Sequence, residues 1–173
     1  MLKILGAIMV IGASSGIGYY CSKKLKLHLE ALLHMKKMIM LLKGEILYMN
    51  STLEEAFAAV ALRISDPMYS DFLLDLSEKL KERSSRLFYD IWCEGVEVHL
   101  SKSDLWKKDR LDIKALGENL GYLDKQMQEK NLDLYLEQLE EEMAQGKEEF
   151  LSKSKLYRSL GIMGGIFIAI VLM

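Results

Sequence analysis

The residues that could do chemistry gather first near the amino end. Gly12-Ala13-Ser14-Ser15-Gly16-Ile17-Gly18 has the glycine spacing of a dinucleotide-binding loop. Tyr20 and Lys24 have the Tyr-x-x-x-Lys spacing of an acid–base pair for hydride transfer. Such a loop works between a strand and a helix, with an acidic residue roughly 20 positions later to hold the ribose. Here Lys23, Lys24 and Lys26 follow, then a Leu- and Met-rich helical pattern, and no β-branched strand run comes after it. Tyr20 also lies too close to Gly18 to reach a separate active site. The stretch is not expected to bind a nicotinamide cofactor.

The remaining reactive side chains are scattered. His28, His34 and His99 have no second ligand at metal spacing. Cys21 and Cys93 form neither a disulfide framework nor a metal motif, which fits a reduced, cytosolic main domain. Cys93, beside Trp92, reads as a small packed apolar residue. Glu140-Glu141-Glu142 reads as a solvated helix face. A Walker-type phosphate loop is absent, and three histidines support no Ser/His/Asp argument. A formal net charge of -2 gives no basic field for nucleic acid. The expectation is a non-enzymatic structural or interaction protein with no cofactor, metal, nucleic acid or small-molecule substrate.

The glycine stretch makes sense as part of a membrane helix. No residue from Ile4 to Ser22 is charged, and none from Ser159 to Met173. A bilayer core of ~30 Å needs ~20 residues of helix. The first stretch meets that length. The second is shorter, though Leu156 and Tyr157 extend it and Lys155 and Arg158 can snorkel. Gly12, Ser15 and Gly16 share a face and would let a neighbouring helix approach, and Tyr19 and Tyr20 sit where an aromatic belt would be. The competing reading is a cleaved signal peptide with Ala13-Ser14-Ser15 as the small-residue site. The expected division is an N-terminal transmembrane helix at 1–22, a cytoplasmic helical domain at 23–158 and a C-terminal transmembrane segment at 159–173. Lys23, Lys24, Lys26, Lys153, Lys155 and Arg158 flank the inner side, so the positive-inside rule leaves both termini outside.

Between the ends the pattern is helical throughout. Leu25, Leu32, Ile39 and Ile46 hold one heptad position over 25–49; His28, Met35, Leu42 and Met49 hold the other. Ser51-Thr52-Leu53-Glu54 predicts a capping box that opens a helix reaching Ile64. Asp66-Pro67 predicts the next start, with Asp as cap and Pro at the first helical position. That helix breaks at Ser84-Ser85. Further helices are predicted over 87–100 and 105–121. A last one begins near Asp124, with a stripe of Leu132, Leu136, Leu139, Met143, Phe150 and Tyr157. The fold class expected is all-α: an elongated bundle of about six helices. Its two long terminal helices pair antiparallel and are continuous with the membrane segments.

The segments "MLKILGA", "LLKGEILYMNSTLEEAF", "LGENLGYLDKQMQEKNLDLYLEQL" and "SKLYRSLGIMGGIFIAIVLM", in this order, resemble the stage III sporulation protein AB family of endospore-forming bacteria. The resemblance spans the whole chain and rests on order and spacing, since none of the segments is chemically specific. It implies a mother-cell membrane protein facing the developing forespore, in a secretion-like complex of stage III A subunits needed for spore formation. The family is similar to the inner-membrane platform proteins of type II secretion and type IV pilus systems. By that analogy the cytoplasmic partner is the sporulation ATPase, stage III protein AA. A general secretion or pilus platform outside sporulation is the alternative. Two places are candidate partner surfaces: the acidic Glu137, Glu140, Glu141 and Glu142, and the 116–126 segment, where Gly117 and Gly121 would allow close approach or end a helix.

Overall fold

A computed structural model describes the backbone of residues 2–49, 51–82, 85–121 and 125–172. Most side chains of residues 2–21 and 153–172 lie outside what it describes. Among the described residues there are six helices and no strand: α1 (Leu2–Leu47), α2 (Leu53–Ala61), α3 (Pro67–Lys81), α4 (Phe88–Leu100), α5 (Lys107–Leu120) and α6 (Lys125–Leu172). The chain divides into two compact units, residues 30–141 and residues 1–29 with 142–173.

Local chemistry sets the helix starts. Asp66 is the N-cap of α3: its carboxylate accepts from the Met68 amide at 2.9 Å, and Pro67 fills the first helical position. The capping box of α2 lies one residue later than the sequence predicts. Thr52, not Ser51, is the N-cap: it is extended (φ -65°, ψ 160°), its hydroxyl accepts from the Glu55 amide, and Glu55 accepts from the Thr52 amide at 2.9 Å. The helix then stops at Ala61, short of Ile64. At α5 the start moves from 105 to Lys107, because the Asp109 carboxylate takes the Trp106 amide at 2.5 Å and makes Trp106 the cap.

In the 30–141 unit, α1 and α6 run antiparallel: Lys36 meets Glu140 at 2.7 Å and Lys43 meets Asp133 at 2.5 Å. Leu32, Met35, Ile39, Leu42 and Ile46 of the heptad stripe are buried there. Met49 lies past the end of α1 and is exposed. Met38 is buried although it stands outside the heptad stripe. On α6, Leu132 and Leu139 are buried as expected, while Tyr135 takes the place expected for Leu136, which is half-buried. The Tyr135 hydroxyl lies 2.8 Å from Met35 Sδ, so its polar end is satisfied inside the seam. The core of α2 to α5 is aromatic. Trp92 is packed by Phe57, Phe72 and Phe88, with ring centroids 5.3–6.2 Å apart among them. This aromatic set, buried except for the half-buried Phe88, ties α2, α3 and α4 together through area burial and ring geometry.

In the other unit, His28 is buried, and a Cβ on Gly146 would come within 2.6 Å of a Leu29 methyl group. Residues 2–22 and 159–172 of the two expected membrane segments are helical in backbone, and most of their side chains lie outside the described residues. Among the described residues no helix is long and apolar enough to cross a membrane.

Candidate partner surface

The charged residues of the 30–141 unit are mostly placed against one another. Glu137, Glu140 and Glu141 are exposed on α6, with Glu140 paired to Lys36 of α1. Glu142 is half-buried and belongs to the other unit. The acidic run therefore presents Glu137 and Glu141 to solvent, while Glu140 also tethers the two long helices.

The two glycines serve the fold directly. Gly117 is buried beneath the Trp92 indole: an added Cβ would meet ring atoms Cγ and Nε1 at 2.6 and 2.7 Å. Gly121, the C-cap of α5, lies against Phe88, where a Cβ would come within 2.9 Å. Gly117 thus gives the close approach expected of it, but to a helix of its own chain, and Gly121 ends α5. Residues 122–124 of the same candidate segment lie outside the described residues.

A second charged strip, on α3 and α4, is one that reading the sequence does not find. Lys79 bridges Asp75 at 2.8 Å and Glu94 at 3.0 Å, Glu94 also accepts from Arg86, and His99 sits 3.2 Å from Asp75. The Arg86 guanidinium, with Lys79 beside it, holds the Glu94 carboxyl below the usual range. Lys114 does the same for Glu97 across α4 and α5. The i,i+4 pair Asp75–Lys79 was visible as spacing, whereas the cross-helix partners depend on how α3 and α4 pack.

The histidines separate. His34 meets the capping carboxylate of Asp66 at 2.8 Å, and His99 meets Asp75. Among the described residues no group of three His, Cys, Asp or Glu side chains could hold a metal ion. Cys93 is half-buried, and its hydrogen bond with Tyr89 pushes that phenol up to about 12. Both groups are thereby engaged with each other on the α4–α5 side. The arrangement as a whole is built to hold helices in register and to present charge.

The pattern over the full length decides what this scaffold is. Residues 3–173 match the family model described as stage III sporulation protein AB. The chain belongs to that family. It is 25% identical to the stage III sporulation protein AB of Bacillus subtilis (strain 168) over 173 residues, covering 100% of both chains. A solved structure of stage III sporulation protein AB superposes with a TM-score of 0.63 at 22% identity, over 72% of this chain and 96% of that one. That likeness supports the all-helical fold. The family ties the chain to sporulation.

Proposed function

We propose that this chain is a non-enzymatic, membrane-anchored component of a stage III A sporulation complex in the mother-cell membrane, where it docks a cytoplasmic motor ATPase, stage III protein AA. The observation that carries this reading is the pairing of Lys36 with Glu140. The 30–141 unit receives α1 and releases α6 at one end, as a domain anchored through both of its chain ends requires. Uncharged stretches at both termini supply the anchors, and the flanking lysines orient them with residues 23–158 inside. Glu137 and Glu141 offer an exposed acidic face for a basic surface on the motor. Sporulation, given by the family, sets this reading ahead of a general secretion or pilus platform.

The test is complementation. Cells lacking the protein are expected to arrest after engulfment, and wild-type chain to restore spores. A Glu137→Lys, Glu140→Lys, Glu141→Lys, Glu142→Lys variant is expected to reach the membrane in normal amount and fail to restore them. Full restoration by that variant would overturn the acidic docking face.

A further inference from the structure

Within the 30–141 unit, α1 and α6 each keep an outward stripe that the chain does not cover. On α1, Lys36 and Lys43 are tied to Glu140 and Asp133 of α6. Lys37 stands about 100° further round the helix and is exposed. Leu33, Lys37, Met40, Gly44 and Leu47 follow at spacings of four, three, four and three, so they share one face. Leu33 is 52% and Met40 54% exposed, and Leu47 is half-buried. On α6, Met127, Lys130, Leu134, Glu137 and Glu141 share the face turned away from the buried Leu132, Tyr135 and Leu139. Leu134 is 48% exposed, and Met127, which has a partner in its own chain, is still 53% exposed. Among the described residues no ion pair engages Lys37, Lys130, Glu137 or Glu141.

The two stripes match in reverse. Read from Glu141 back to Met127, the α6 stripe also runs four, three, four and three. Laid antiparallel on α1, it sets Glu137 opposite Lys37, Leu134 opposite Met40 and Met127 opposite Leu47. Lys130 then lies over Gly44, where there is room for its stem: even a Cβ on Gly44 would meet nothing within 4 Å. The other pairings do worse. Run parallel, the same two faces put Lys37 against Lys130. A stripe of α1 on another α1 gives Lys37 no acid in either direction. A stripe of α6 on another α6 puts Glu137 against Glu137 when parallel; when antiparallel it keeps one apolar contact, Leu134 on Leu134, and sets Met127 against Glu141.

We infer that copies of this chain associate head to tail, the Leu33, Lys37, Met40 and Leu47 face of α1 packing antiparallel on the Met127, Leu134 and Glu137 face of the next copy's α6. The two apolar contacts supply burial, and the Lys37–Glu137 pair fixes the register. The contact is heterologous, since different faces meet, so it continues from copy to copy. Glu137 also belongs to the acidic face proposed for the motor, so association and motor docking compete for it.

The test is disulfide cross-linking of the full chain in cells, in a Cys21→Ser, Cys93→Ser background that removes the native thiols. A chain carrying Met40→Cys is co-expressed with one carrying Leu134→Cys, under different tags. Both positions are exposed, so the substitutions leave the core intact. On mild oxidation the mixture is expected to give a cross-linked dimer, and each variant alone to give none. Met40→Cys with Met127→Cys, seven residues out of register, is expected to give none either. Adding Lys37→Glu to the Met40→Cys chain is expected to cut the yield about threefold or more, and adding Glu137→Lys to the other chain to restore it. A dimer from either variant alone would overturn the head-to-tail arrangement. So would a mixture in which both chains accumulate and no dimer forms.

Discussion

The indole of Trp92 covers the Cα of Gly117, and its Nε1 donates to the Ile113 carbonyl at 2.7 Å. One ring is thus locked to α5 by a hydrogen bond at one edge and by a missing side chain at another. Gly117→Ala is expected to destabilise the protein by about 1–3 kcal/mol, the usual cost of forcing atoms into a packed core. Gly44 gives the opposite case, because a Cβ there meets nothing within 4 Å. Gly44→Ala is expected to stabilise α1 by about 0.5–1 kcal/mol through helix propensity alone. Urea unfolding of the full chain in mild detergent, followed by helicity, separates the two signs.

Asp66 does two jobs, capping α3 and meeting His34 of α1. Asp66→Ala is expected to cost about 1–2 kcal/mol, towards the upper part of the range for a lost N-cap. Thr52→Ala, which removes a cap without a cross-helix partner, is expected to cost about 0.5–1 kcal/mol. The same unfolding assay ranks them, and equal losses would show that the His34 contact contributes nothing.

Stability is expected to fall at both ends of the pH scale. Glu94, Glu97 and Glu55 are held below the ordinary 4.5 by Arg86, Lys114 and the Thr52 amide respectively. Their folded values are depressed, so their contribution is present above that ordinary value and is lost as pH falls through the lowered ones. Lys43 behaves oppositely. Its hydrogen bond to Asp133 raises it above the ordinary 10.5, so its contribution is present below 10.5 and is lost as pH rises through the raised value. Urea midpoints across pH check both limbs. Lys43→Met should blunt the alkaline one, and because Asp133 is half in water the loss at neutral pH should stay under about 1 kcal/mol.

The sequence carried a good part of this architecture, and the reasons for the misses are physical. The Leu32, Met35, Ile39, Leu42 and Ile46 stripe was legible because a long helix with one buried face repeats every three to four residues. Asp66-Pro67 was legible because cap and first-turn chemistry are local. Thr52 was mistaken for its neighbour because Ser51 and Thr52 are both good caps and each has an acid three residues on, Glu54 or Glu55. Tyr135 was passed over for Leu136 because an apolar count does not see a hydroxyl satisfied by Met35. On the candidate surface, the acidic run was plain in the sequence, but the Lys36 partner of Glu140 lies across the helix pair and depends on register. Gly117 was noticed for its spacing, whereas its burial under Trp92 depends on how α4 packs on α5.

The function proposed for this chain is to dock a motor ATPase through the acidic run from Glu137 to Glu142. Its most direct test is equilibrium binding of stage III protein AA to the full chain held in nanodiscs, with empty nanodiscs as the blank. Saturable binding is expected, weakened about tenfold or more by reversing Glu137, Glu140, Glu141 and Glu142 to Lys, or at least about 1.4 kcal/mol. No binding by a chain with intact helicity would contradict the account.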